Sequence, residues 1–185
     1  MLHPFRVYRE LSEAQRPLSS LLARIALLML ALGTFVSFAA AGRLVLFHVA
    51  SPWLAWAYLP VLQSIAIVAS TRVVAPRAPI VRVLSLYFAG HAPWLLFVAL
   101  LSAVVLFSSD VAAALIWLLS HGVVFALLGV TLVWSGVLTF ACLRSGLSLS
   151  RSRAALGTTL HYVLYFGVWT SYYLIVGQLQ PLFQR

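Results

Sequence analysis

The sequence predicts an all-α fold: a polytopic integral membrane bundle of about five transmembrane helices, with the N-terminus cytoplasmic and the C-terminus outside. Three observations predict it. Of 185 residues, 63% are hydrophobic and 8% charged, which is more apolar surface than a water-soluble domain of this size can hide. The apolar residues gather into long runs, each able to supply the roughly 20 residues of helix that cross a hydrocarbon core. The cations concentrate between alternate runs, as topogenic charges do.

The first run, 18–42, lies between Arg16 and Arg43, with Arg24 just inside its start. The small residues Ala39, Ala40 and Ala41 at its end are of the kind a signal peptidase accepts. The segment ahead of it is long and contains Glu10 and Glu13, so an uncleaved first span is expected. The second run, 52–74, opens on Pro52, Trp53 and Trp56. Pro60 falls inside that run and predicts a kink. The third, 83–107, carries His91 and Pro93 in its first half, and the fourth, 111–143, is long enough to tilt or to protrude. The fifth covers 154–177.

All twelve basic residues are Arg, against Glu10, Glu13 and Asp110 as the only acids, for a formal net charge of +9. Arg6, Arg9, Arg16 and Arg24 flank the first span. Arg72, Arg77 and Arg82 fill the loop between spans two and three, and Arg144, Arg151 and Arg153 the loop between four and five. The opposite side holds Arg43, Arg185 and Asp110. Short arginine-rich loops stay cytoplasmic, which sets the orientation. Trp53, Trp56, Trp117, Tyr172 and Tyr173 then lie towards the outer interface, where amphipathic rings are favoured. A nucleic-acid partner is not expected, because no loop is long enough to form a basic domain outside the bilayer.

Helices in lipid associate through close backbone approach, so small residues four apart on one face matter. Gly33, Ser37 and Ala41 form such a stripe on the first span, and Gly167 and Ser171 another on the fifth. Both predict helix packing, either inside the chain or against a partner subunit.

No Asp or Glu lies inside any run. Proton-coupled transport and intramembrane aspartyl hydrolysis need carboxylates at membrane depth, so neither is expected. No zincin, Walker or dinucleotide-binding motif is present, and no metal site or catalytic residue is predicted. The single Cys142 reads as a small apolar filler. The histidines are the one constellation suited to chemistry. The topology puts His91 and His161 at one depth, near the inner leaflet, and His48 and His121 at another, near the outer one. Facing histidines on different helices in an apolar pocket are what bis-imidazole haem ligation requires. Interhelical hydrogen bonding and interfacial anchoring explain the same residues with no cofactor.

Three segments carry a family resemblance. His3-Pro4-Phe5-Arg6-Val7-Tyr8-Arg9-Glu10 leads through Arg16-Pro17 into the first span. Ala92-Pro93-Trp94 follows a basic loop in the third. Gly146 to Ala154, with Arg151-Ser152-Arg153 before the last helix, forms the final polar loop. Together these resemble the Yip family of Rab/Ypt-interacting-protein-like membrane domains, in its bacterial form. The resemblance implies a five-span domain with a cytoplasmic N-terminus. Eukaryotic relatives contact Rab-type GTPases through a longer N-terminal region, and that contact is not carried over to the 17 residues present here.

Two function classes follow. One is a non-enzymatic component of a bacterial inner membrane: an accessory or structural subunit of a larger membrane complex, or a membrane-organising protein. Its partners are then other membrane subunits and anionic lipid headgroups, the latter met by Arg72, Arg77, Arg82, Arg144, Arg151 and Arg153. Each such cation contributes on the order of 1 kcal/mol of attraction near an anionic surface. The alternative is a small transporter or channel with Gln63, Ser64, His91 and Pro93 at a midplane site near Pro60 and Pro93.

Overall fold

The structure, a computed structural model, describes residues 3–14, 18–46, 58–107 and 110–183. The described residues are helical, with no strand among them.

The charged stretch ahead of the first span, expected only as a flank, folds into α1 (Pro4–Glu13). Pro4 opens it at a position where a missing backbone donor costs nothing. On the exposed side Arg6 Nε donates to Glu10 Oε1 at 2.9 Å, one turn on. On the other side Pro4 and Tyr8 are buried. Burial pushes the Tyr8 hydroxyl well above the ordinary tyrosine range.

Helix α2 (Leu18–Ala41) matches the expected first span to within a residue. Gly42 ends it in the left-handed region at φ 63°, with its N–H returning to Phe38 O at 2.9 Å, a glycine stop of the usual kind. Near the start, Arg24 Nη1 donates to Ser85 O at 3.3 Å and ties α2 to the fourth helix.

Helix α3 (Tyr58–Val74) falls within the expected second span; residues 52–57 lie outside the described residues. The kink expected at Pro60 turns on the residues just before it, which lie outside the described residues.

The third and fourth spans differ from expectation. The third is two helices, α4 (Ile80–Ala89) and α5 (Ala92–Phe107). Gly90 and His91 close the first of them, their N–H groups returning to Tyr87 O and Phe88 O at 3.0 and 3.4 Å. Pro93 therefore starts a helix and does not kink one. The fourth is α6 (Val111–Ser120) and α7 (Val123–Ala141), separated at Gly122, whose φ is 69°. Asp110 caps α6 by accepting from Ala113 N at 2.9 Å. Helix α7 continues through a π turn, Cys142–Gly146. Helix α8 (Arg151–Phe183) has 33 residues and extends beyond both ends of the expected fifth span, for about 50 Å at 1.5 Å per residue.

Among the described residues one helix, Val123–Gly146 with 24 residues, is by itself long and apolar enough to cross a membrane; the apolar helices Ser19–Phe35 and Pro60–Val74 are shorter. Only 22% of its most apolar stretch is buried. Side chains such as Val130 and Val133 face outward at 68% and 70% exposure, where a core helix of a water-soluble protein would be covered.

The packed core lies at the arginine-bearing end. Leu21, Ile67, Val74, Val83, Tyr87, Leu143 and Ala154 form one cluster, and Tyr8, Leu86, Leu138, Ala141 and Cys142 a second beneath α1. Helix α1 lies across the π turn, α4 and α7, while α3 packs along α8 and α2 along α5.

Candidate functional site

Two loops meet at the arginine-bearing end and line an open cleft of about 330 Å³. One wall is the α3–α4 connection, Ala75-Pro76-Arg77-Ala78-Pro79. The other is Leu147 and Leu149, with Arg82 and Arg153 contributed by α4 and α8. The two prolines limit the backbone freedom of the first wall. The second is held by the π turn, with Leu147 N–H donating to Cys142 O at 3.1 Å and Leu149 N–H to Leu143 O at 3.3 Å. Ser148 takes a left-handed φ of 55° to make this turn.

The six arginines expected to meet lipid headgroups divide into distinct roles. Arg77, Arg82 and Arg153 line the cleft. The Arg72 guanidinium donates to the Pro76 carbonyl and so clamps the first wall. The Arg144 guanidinium is turned inward onto the Leu149 carbonyl and braces the second. Arg82 Nη2 spans the two by donating to Gly146 O at 3.3 Å. Arg151 is exposed and does not line the cleft. The side chains of Arg77 and Arg153 make no hydrogen bond among the described residues. Glu10 is paired with Arg6, and Asp110 caps α6 at the other end of the bundle, so neither reaches the cleft.

Above this end the helices are joined by buried polar side chains centred on Tyr87. Its hydroxyl lies 2.9 Å from His161 Nε2. Its ring stands edge-on to His91 and His161, at centroid distances of 4.9 and 5.0 Å. His91 Nε2 lies 3.2 Å from Gln63 Oε1 and its Nδ1 lies 3.4 Å from Tyr87 O. A neutral imidazole has one N–H, so it cannot donate to both oxygens. Both contacts are satisfied when the Gln63 amide turns its NH₂ to the ring and Nδ1–H donates to the carbonyl. Further along, Trp94 Nε1 and the Tyr162 hydroxyl both donate to Ser135 Oγ, at 3.2 and 3.0 Å, linking α5, α7 and α8. Among the described residues, two buried side-chain atoms have no partner, Thr71 Oγ1 and His161 Nδ1.

The structure thus brings His91 and His161 to one tyrosine, but not into a haem-binding arrangement. Bis-imidazole ligation needs two ring nitrogens facing each other across a slot for the macrocycle. Here Tyr87 lies against both rings and takes His161 Nε2, and Gln63 meets His91 Nε2. His121 is exposed at the end of α6, with Nδ1–H donating to Trp117 O at 2.8 Å and its ring stacked on Trp117. His48 lies outside the described residues. Of the residues expected at the midplane site, Gln63 and His91 are in contact, whereas Ser64 Oγ donates to Pro60 O, 2.7 Å away on its own helix.

The small-residue stripes also divide. On α2, Gly33 and Ser37 are buried and Ala41 is half-buried. Ser37 serves as more than a small residue, because its Oγ donates to Arg43 O at 2.9 Å and accepts from Val45 N at 2.8 Å, tying down the chain after Gly42. On α8, Gly167 and Ser171 are exposed, and a Cβ at Gly167 would meet nothing within 4 Å. Among the described residues no helix packs against that stripe.

The close approaches occur at glycines the sequence reading did not single out. A Cβ at Gly157 would lie 2.8 Å from Leu143 Cδ1 and 3.1 Å from Val74 Cγ2. One at Gly90 would collide with the Tyr8 hydroxyl. The signal for Gly90 is its spacing to Pro93, a helix stop followed by a proline suited to a new first turn. Nothing local marks Gly157. Comparison with protein-family models, curated proteins and solved structures finds no match for this chain.

Proposed function

We propose that the chain is a non-enzymatic integral membrane protein: a bundle of about five spans in a bacterial inner membrane, N-terminus cytoplasmic, acting as an accessory or membrane-organising component. The observation that carries this reading is the division of the molecule into two zones. Apolar side chains face outward along α7 and its neighbours, while one end is polar, tightly packed and lined by arginine. Outward apolar faces suit a lipid solvent, in which close packing and not the hydrophobic effect holds helices together. The arginine end suits an anionic cytoplasmic leaflet. The third and fourth spans cross as helix pairs, and the break at Gly90 and His91 is met by Tyr8 from α1 and Gln63 from α3. The resemblance of the N-terminal, Ala92-Pro93-Trp94 and Gly146–Ala154 segments to the bacterial Yip family supports the same arrangement.

Alkaline extraction of membranes tests the solvent: the chain is expected to stay with the lipid pellet, and release into the supernatant overturns the reading. The accessory role predicts co-purification with larger subunits in fixed stoichiometry in mild detergent. A monodisperse particle of this chain alone overturns that part.

A transporter is the second reading, favoured by one observation: α4 and α5 form a broken helix with the Gln63–His91 pair at the break. Neither the arginine cleft nor the open groove between α7 and α8 reaches that pair. Solute-dependent uptake into proteoliposomes that is lost in Gln63→Leu establishes this reading in place of the first.

A further inference from the structure

We propose that the cleft between the α3–α4 loop and the start of α8 is a binding site for a terminal phosphate group, a phosphomonoester carried by a lipid or present as free phosphate. The proposal rests on the membrane reading only for the lipid as source, not for the phosphate chemistry.

Three independent features converge there. The first is unspent donor capacity. Among the described residues, the guanidiniums of Arg6, Arg24, Arg72, Arg82 and Arg144 are each held by a carboxylate or carbonyl. Arg77 and Arg153 line the cleft and are held by neither, so two planar donor forks open onto one cavity. The second is the backbone. Helix α4 begins at the cleft with Pro79 as its N-cap and no side-chain cap, whereas the first turn of α8, which supplies Arg153, is capped by Ser150 Oγ accepting from Arg153 N at 3.4 Å. Neither first turn carries an acidic residue. Helix N-termini carry partial positive charge and favour anions, so arginines placed there add like charge to like until an anion arrives. The third is the lack of internal compensation, since no carboxylate lies among the cleft's lining residues.

The charge state follows from this excess. A phosphodiester brings one negative charge, whereas a phosphomonoester brings about −1.5 to −2 at neutral pH together with three acceptor oxygens. Three arginines and the uncapped start of α4 match the second better. The walls are ready for it: Arg72 and Arg144 brace the two loops from behind, and Arg82 joins them through Gly146.

The test uses the full chain in detergent, with thermal unfolding followed against added ligand. The probes are short-chain phosphatidic acid (a monoester), short-chain phosphatidylglycerol (a diester), inorganic phosphate, and sodium chloride at matched ionic strength. Phosphatidic acid is expected to raise the melting temperature at concentrations where phosphatidylglycerol and chloride do not. The Arg77→Gln and Arg153→Gln variants are each expected to bind about tenfold more weakly. Both side chains are exposed, so folding is preserved, and Arg151→Gln, outside the cleft, should bind as wild type. If inorganic phosphate matches phosphatidic acid, the site is upheld with free phosphate as its source. If phosphatidic acid acts alone, the site is upheld with a lipid source. Equal shifts from monoester and diester, or shifts untouched by Arg77→Gln and Arg153→Gln, overturn the site. Release of the chain by alkaline extraction would instead overturn the membrane reading and leave the phosphate result standing.

Discussion

Tyr87 and His161, 74 positions apart in sequence, meet with the tyrosine hydroxyl 2.9 Å from His161 Nε2. The contact joins α4 to α8 in the packed end of the bundle. Whichever of the two donates, it is the one hydrogen bond of the His161 ring, because Nδ1 is buried without a partner.

Removing the Tyr87 hydroxyl should therefore be expensive. Tyr87→Phe leaves both ring nitrogens of His161 unsatisfied and is expected to destabilise the protein by about 1–3 kcal/mol. Thermal unfolding in detergent reads the loss. The double variant with His161→Phe should lose less than the sum of the two single changes, and strict additivity would show that the pair is not coupled.

Gly157 and Gly167 sit on the same helix and should respond in opposite ways. A Cβ at Gly157 lies too close to Leu143 and Val74, both buried, so Gly157→Ala is expected to cost about 1–3 kcal/mol by forcing α8 from α3. Gly167 has open space around it, and Gly167→Ala should be neutral or stabilising by up to about 1 kcal/mol. Loss of a co-purifying subunit in Gly167→Ala, with unchanged melting, would identify that stripe as a partner contact.

Helix α1 is held by Tyr8, whose side chain is only 1% exposed. Tyr8→Ala is expected to remove about 3 kcal/mol of packing and to release the helix from α4, α7 and the π turn. Trypsin cleavage at Arg9 should then quicken well before global unfolding. Gly90→Ala should give the same cleavage pattern, since its Cβ occupies the space of the Tyr8 hydroxyl. Unchanged cleavage in both variants would show that Tyr8 does not hold α1.

The topology is open to direct labelling, because the single Cys142 is fully buried and should be silent. An Ala78→Cys variant should react with a membrane-impermeant maleimide only after the inner membrane is opened, and Leu44→Cys before. The reverse order would invert the orientation.

The sequence by itself determined the helical class, the limits of the first long helix and the concentration of arginine at one end. These are properties of local composition. An apolar run, a glycine such as Gly42 at its end and a charge count need no tertiary partner. Tertiary structure decided where the runs break and what the polar residues do. The apolar runs through Gly90 and Gly122 look continuous because hydrophobicity does not report a left-handed φ or a returning N–H. Arg72, Arg77, Arg144 and Arg153 are indistinguishable as letters. Arg72 and Arg144 brace their own loops through carbonyls four and five residues on, and only the meeting of the two loops brings Arg77 and Arg153 to one cleft. His91 and His161 were visible as a pair at one depth, but Tyr87 and Gln63, which determine their chemistry, come from other turns and other helices. A side chain's partners depend on contacts across the chain, and those contacts exist only once the helices have packed.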